Sequence, residues 1–271
     1  MPDLDFIADD WCFPFLIKTM KKKYLERTLK EGRFCFNTPS AFIEGEGLAS
    51  AQQDKYEAHL SFEARYIMVA PILYENENGP CYGNAERFVD RARAHFTTED
   101  AKHTPLCSFR FVAQSELVKK YGAYFFRLGD VVDRIREDFQ HDAYIFILEP
   151  QAFGRRIFQI EPCFSYKVHY GDINSKFDKF ITQVGYNTAP LFQKSPSYQW
   201  QQEFRIILEP KENEGKHFVN IGSIEDIAFG GDLEQLRNGF IFCQSDEQLE
   251  EINQVLSRDK ITLDNIFEAD S

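Results

Sequence analysis

From residue 164 to residue 243 the chain carries five short strand-like segments in succession, at 164–170, 202–208, 218–221, 226–229 and 240–243, with no helical spacing to separate them. Parallel neighbours need a crossover of roughly a dozen residues or more, usually a helix, whereas antiparallel neighbours can be joined by a turn. The expected fold is therefore α+β, a mixed and largely antiparallel sheet flanked by helices. The 27 Phe and 12 Tyr suit that expectation, because aromatic side chains favour strand positions and fill large cores. No internal repeat and no linker rich in Pro, Gly or Ser interrupts the 271 residues, so a single compact domain over 1–271 is expected.

Helix and strand are mixed in the first half. Residues 13–20 read as a strand, and Lys18 is the only charge between Asp10 and Lys21. Residues 21–31 read as a helix with Met20, Tyr24, Thr28 and Leu29 on one side and Gly32 placed to end it. In 33–38, Arg33, Cys35 and Asn37 alternate against Phe34 and Phe36, and Pro39 stops the strand. Residues 40–61, with Gly45 and Gly47, read as a long loop running into a short helix, and a loop of that length is more often functional than idle. Helical spacing is read at 84–96 through Phe88, Ala92 and His95, and at 130–139 through Val131, Val132, Ile135 and Phe139; strands are read at 105–112 and 143–148. Gly230-Gly231-Asp232 reads as a strand-to-helix turn with Asp232 as N-cap, and Ser245 with Gln248 as a capping box opening the last helix.

Charge and cysteine usage remove several function classes. A net charge of -12 argues against a surface built for bulk duplex binding. One basic run stands out: Lys18, Lys21, Lys22, Lys23, Arg27, Lys30 and Arg33 are opposed only by Glu26 and Glu31. It reads either as a solvated helix face with spaced ion pairs or as a local phosphate-binding site. The six cysteines have no C-x-x-C pair and no matching histidine spacing, so neither a metal site nor a disulfide framework is expected. The acidic start is unlike a signal peptide and no apolar run approaches the roughly twenty residues of a membrane span, so a cytoplasmic protein without a membrane partner is expected. Nucleotide-loop, serine-hydrolase and zinc-protease signatures are absent.

The chemistry-bearing stretch is Trp200-Gln201-Gln202-Glu203-Phe204-Arg205. Side chains of an extended segment alternate, so Gln201, Glu203, Arg205 and Ile207 share one face while Gln202, Phe204, Ile206 and Leu208 share the other. An amide, a carboxylate and a guanidinium in a row, turning apolar at Ile207, fit the lining of a cleft; a cross-strand ion pair on an exposed face is the plainer alternative. Lys18 reads as a snorkelling lysine or as a holder of an anionic ligand.

In order, Lys18, Gly32-Arg33-Phe34-Cys35-Phe36-Asn37-Thr38-Pro39, Leu106-Cys107-Ser108-Phe109, Tyr170, Lys194 spaced before Trp200 to Arg205, and Ile224-Glu225-Asp226-Ile227-Ala228-Phe229-Gly230 resemble a broad bacterial domain-of-unknown-function family associated with phage-defence and mobile-element loci. These landmarks cover most of the chain. It departs from the family pattern where a Trp commonly precedes the central Tyr-Gly, here Tyr121-Gly122, since Leu117 and Val118 stand nearby instead. The layout is also similar to mono-ADP-ribosyltransferases, which place a basic or histidine residue on the first strand, a small polar strand motif next and a late Glu, in several cases as Q-x-E. Gln201-Gln202-Glu203 has that form.

What this second resemblance implies is an NAD-dependent transferase acting as a toxin or phage-defence effector on a macromolecular target, protein or RNA, with an antitoxin or defence-system partner. Glu203 would stabilise positive charge developing on the ribose, Gln201 would orient the acceptor, and Arg205 would complete the catalytic set. Lys18 or Arg33 would hold the pyrophosphate, and Asn37 or Ser108 the nicotinamide amide. Two other readings stay open: a nucleic-acid-binding or nuclease-type defence protein using the basic helix and metal-assisted carboxylates, and a non-enzymatic sensor or interaction module in which Glu203 and Arg205 are a structural pair.

Overall fold

Strand β1 (Phe15–Met20) buries Leu16 and Met20 on one face and Ile17 on the other, so it has to lie inside a sheet covered on both sides. It is the first element of a computed structural model that describes residues 15–40, 58–69, 72–76, 79–84, 86–171, 183–185, 187–212 and 215–268. A short 3-10 turn leads into helix α1 (Leu25–Glu31) and then β2 (Arg33–Asn37). Gly32 ends the helix at φ 59°, donating its N–H to the Thr28 carbonyl. A Cβ at Gly32 would stand 2.0 Å from the Gly222 carbonyl oxygen, so only glycine fits both the dihedral and the space.

Strands β3 (Leu60–Val69), β4 (Ile72–Asn76), β5 (Gly79–Tyr82) and β6 (Glu86–Phe96) pair as β3 with β6 and β4 with β5, apart from the main sheet. Next come α2 (Glu99–His103), β7 (Leu106–Val112), β8 (Val118–Lys120), β9 (Ala123–Phe126), α3 (Val131–Phe139), β10 (Ala143–Ile147) and α4 (Pro150–Ile160). The chain continues through β11 (Cys163–Lys167), β12 (His169–Tyr170), β13 (Gln193–Lys194), β14 (Glu203–Leu208), β15 (Lys216–Asn220) and β16 (Ala228–Asp232). It ends with α5 (Glu234–Asn238), β17 (Phe240–Phe242), α6 (Asp246–Arg258) and α7 (Leu263–Glu268).

The architecture is α+β. Eight strands form the main sheet, in the order β11-β14-β7-β1-β10-β16 with β2 and β15 attached at β7, and every pairing in it is antiparallel. The one parallel pair among the described residues, β12 with β13, lies outside it. On one face Phe153 and Ile157 of α4 pack onto Phe34, Phe109, Phe204 and Ile206, with the Phe34 and Phe153 rings edge to face at 4.9 Å. On the other face Val132 and Ile135 of α3 and Leu236 of α5 cover Ile17, Val112, Tyr144 and Phe146. No helix among the described residues is long and apolar enough to cross a membrane.

Four expectations change. Residues 86–96 form a strand, not a helix. Arg91, Arg93 and His95 alternate with Ala92, Ala94 and Phe96 in sequence, and this period of two wins because β3 supplies an antiparallel partner from one end of the segment to the other, with one register shift between Ile67 and Met68. Residues 230–232 lie within β16, the helix begins after Leu233, and the Asp232 carboxylate accepts from Lys22 Nζ at 2.6 Å instead of capping. Residues 196–201 form a 3-10 segment, and Gln202, at φ 44°, breaks it from β14. Ser245 caps α6 by accepting from the Gln248 N–H, but the Gln248 side chain accepts from the Gln244 N–H, which leaves half a capping box. The loop expected over 40–61 lies outside the described residues from 41 to 57. Tyr121-Gly122 forms the two-residue turn of the β8–β9 hairpin, both at positive φ (50° and 79°).

The feature that positions the site is a fork in the sheet. On the same edge of β7, β1 pairs from Phe15↔Val112 to Ile17↔Arg110, and β2 pairs at Asn37↔Leu106. Continued one residue at a time, the two registers would put both Thr19 and Cys35 opposite Ser108. Two strands cannot occupy one edge, so they splay. β1 follows β10 through Met20↔Ala143, and β2 follows β15 through Asn220↔Arg33.

Candidate functional site

The fork opens into a cavity of about 540 Å³, and all seven residues singled out from sequence line it: Lys18, Arg33, Asn37, Ser108, Gln201, Glu203 and Arg205. Alternation puts Glu203 and Arg205 on one face of β14, opposite Arg110 and Ser108 of β7. Phe204 and Ile206 point the other way into the core, which anchors the strand. Gln201 reaches the same place by a different route. The 3-10 turn and the left-handed Gln202 swing its buried side chain over β14, where its Oε1 accepts from Lys194 Nζ at 3.0 Å.

Glu203 is the hub of the floor. Lys194 Nζ donates to its Oε1 at 2.6 Å; Arg205 Nε donates to its Oε2 at 2.7 Å and Ser108 Oγ to the same oxygen at 3.2 Å. Its own N–H donates to the Tyr170 hydroxyl at 2.7 Å, and Arg205 Nη1 donates to the Leu191 carbonyl at 2.5 Å. Burial by itself pushes the Glu203 carboxyl up, but the charges of Arg205 and Lys194 outweigh it and hold the group down at about 2. Such a carboxylate is a fixed anion and a poor proton acceptor at neutral pH. Tyr170 is shifted the opposite way, by burial and then by Glu203, and stays a neutral hydroxyl.

Lys194 and Tyr170 appeared among the sequence landmarks without a role; the parallel β12–β13 pair, Tyr170↔Lys194, delivers both to Glu203. The sequence signal for Lys194 is an isolated cation two residues after the apolar run Ala189-Pro190-Leu191-Phe192, all of it buried.

The lining is strongly cationic although the protein is acidic. Lys18, Lys21, Arg27, Arg33, Arg110, Lys194, Arg205 and Lys216 face one carboxylate, Glu203, among the described residues. Arg110 is tied to Glu116 and the Trp200 carbonyl, and Arg27 to Glu31. Among the described residues, Lys18, Lys21, Arg33 and Lys216 form no ion pair; Lys18 Nζ donates to the Ser108 carbonyl at 2.6 Å, and Arg33 lies 4.1 Å from the Phe218 ring centre. Three buried donors in the lining, Gln201 Nε2, Arg33 Nε and Arg110 Nε, have no hydrogen-bond partner among the described residues, and an unpartnered buried donor in a cavity wall is a ready contact for a ligand acceptor.

The basic run of residues 18–33 divides accordingly. Lys22 and Lys30 make solvent-exposed pairs with Asp232 and Glu26, which water and salt screen and which therefore add little. Lys18, Lys21, Arg27 and Arg33 turn to the cavity. The thiols of Cys35 and Cys107, also in the lining, are pushed up chiefly by burial and stay protonated, so neither is an activated nucleophile. No group of three His, Cys, Asp or Glu side chains among the described residues is arranged to hold a metal ion. No protein-family model, curated protein or solved structure matches the chain.

Proposed function

We propose that the fork cavity binds a phosphate-bearing anion, with Glu203 positioning the cationic floor. The observation that carries this is charge: among the described residues, eight Lys and Arg side chains line one cavity against one carboxylate, in a chain of net charge -12. Lys18 and Arg33 are half-buried with no carboxylate partner among the described residues, partial desolvation makes a counter-charge favourable there, and phosphate oxygens accept from Arg and Lys in charge-assisted hydrogen bonds. The direct test is calorimetric titration with inorganic pyrophosphate and with NAD. Micromolar binding of either that weakens with salt supports the proposal; binding of neither at about 1 mM sinks it.

ADP-ribosyl transfer is the second reading, and a specific observation favours it. The Q-x-E residues Gln201 and Glu203 meet at Lys194 although Gln202 breaks the strand between them. NAD carries an ADP-ribosyl group whose bond to nicotinamide is the one broken. On this side Lys18 and Arg33 would bind the phosphates, Asn37 or Ser108 the amide, and Glu203 would remain ionised throughout the neutral range. For Glu203 to face a developing positive charge, Lys194 or Arg205 would have to leave it for the ligand, so this reading needs a rearranged floor and simple binding does not. Incubation with labelled NAD and cell lysate tests it: nicotinamide release with label on protein or RNA, lost in Glu203→Gln, is expected, and no release removes it. A nuclease reading has less support, because Glu203 meets no second carboxylate in the cavity among the described residues.

A further inference from the structure

We infer that the end of the cavity walled by Phe139, Trp200, Val131, Ile135, Thr19 and His141 seats a planar heterocycle, so that the anion bound at the fork is a nucleotide. The inference rests on the phosphate reading above and adds the part of the ligand that the cations do not explain.

The cavity has two kinds of wall. Its cations come from β1 and the residue after it, α1, β2, the β7–β14 floor, β13 and β15, whereas α3 and Trp200 contribute an apolar and aromatic side. The rings of that wall brace one another. Phe139 stacks on His141 with ring centres 5.7 Å apart and 24° between planes. Phe139 also packs on Trp200 at 6.0 Å, and Arg134 lies 4.7 Å from the Trp200 ring. A pre-ordered aromatic wall loses little freedom when a flat ring packs on it.

His141 gives the wall its polar edge. Burial and then the charges of Lys18 and Lys21 hold it down at about 4, so at neutral pH it adds no charge to a lining already rich in cations. Its Nδ1 is engaged with Thr19 Oγ1 at 2.8 Å, which fixes the ring. A neutral imidazole with one nitrogen anchored has its other nitrogen for a single directional hydrogen bond. A phosphate alone has no use for this wall; a base attached to the phosphate has.

The experiment is calorimetry on the full chain with inorganic pyrophosphate, ribose 5-phosphate, ADP, GDP, CDP and UDP, on wild type, Trp200→Leu and His141→Phe. At least one nucleoside diphosphate should bind wild type tenfold or more tighter than pyrophosphate. Both variants should bring that ligand to within about threefold of pyrophosphate while leaving pyrophosphate itself unchanged. If Trp200→Leu does not fold, His141→Phe alone carries the comparison, with its melting temperature as the control. Pyrophosphate binding that no base improves overturns the inference and leaves the phosphate reading intact; nucleotides that outbind pyrophosphate equally in wild type and His141→Phe also overturn it. Absence of binding by every probe overturns the phosphate reading itself.

Discussion

Lys18 Nζ donates to the backbone carbonyl of Ser108 at 2.6 Å, and it does so where the fork has left the edge of β7 opposite β14 without a paired strand. A side chain here does what a strand amide does elsewhere in the sheet. The ammonium also lies 5.4 Å from the centre of the Phe109 ring. Replacing it with methionine keeps the apolar stem and removes both the donor and the charge. Lys18→Met should destabilise the protein by about 1–3 kcal/mol, the usual cost of an unsatisfied buried acceptor, and should weaken pyrophosphate binding tenfold or more. Urea midpoints and the same titration check the two effects, and Lys18→Arg should recover binding better than stability.

Glu203 holds two buried cations in place, so removing its charge should cost more than removing an ordinary surface pair. Glu203→Gln leaves Lys194 and Arg205 facing each other without counter-charge. The expected loss is about 3–5 kcal/mol, or a fall in melting temperature of roughly 6–20 °C for a chain of this size. Replacing all three with apolar residues of similar volume should recover much of that stability yet bind no pyrophosphate. A triple variant that still binds would show that the floor is structural and the ligand lies elsewhere.

Two groups should mark two acid windows. The folded-state value of Glu203 is lowered to about 2, so its stabilisation is complete above the unfolded carboxylate value of about 4.3 and is lost as pH falls from there through 2. His141 is lowered to about 4, against an unfolded value of about 6.5. A histidine kept neutral by the fold also loses stability as pH falls, here between 6.5 and 4, because the unfolded chain binds the extra proton. His141→Phe should flatten the upper window and leave the lower one; a charge-free replacement at 203 should do the reverse. Denaturant midpoints measured from pH 7 to pH 2.5 separate them, and a proton resonance of His141 titrating near 6.5 would contradict the upper assignment.

The sheet was legible where one residue type dictates one face. Phe34 and Phe36 against Arg33, Cys35 and Asn37, and Phe204 and Ile206 against Glu203 and Arg205, could only alternate, and they do. Residues 86–96 were not, because Phe88, Ala92 and His95 satisfy a helical spacing while Arg91 to Phe96 satisfy a strand, and only the partner β3 decides. At the site, Gln201 was placed beside Glu203 by assuming a continuous strand; the contact exists, but through a 3-10 turn that residue-by-residue alternation does not foresee. Arg110, Lys194 and Lys216 join the cavity from three separate strands. Their convergence depends on the fork, which arises from two registers competing for one edge and has no local signature.

Gly230 is where that fork is braced from outside. It sits in β16 opposite Ile145, and a Cβ on it would meet the Tyr144 carbonyl oxygen at 2.5 Å and Leu25 Cδ1 at 2.6 Å. The carbonyl is fixed within β10, so β16 at the sheet edge must shift away from it, and the Leu25 side chain and the helix end that carries it must adjust with the strand. That helix, with the turn before it, carries Tyr24, Arg27 and Thr28 along the cavity. Gly230→Ala should therefore cost about 1–3 kcal/mol by overpacking and also weaken anion binding, although residue 230 is not in the lining. Gly154, inside α4, has no atom of the described residues beyond its own helix backbone within 4 Å of its Cβ position, and Gly154→Ala should leave binding unchanged while stabilising the chain by about 0.4–1 kcal/mol. If the two alanines behave alike in both denaturation and titration, the close approach of α1 to β16 does not govern the shape of the cavity.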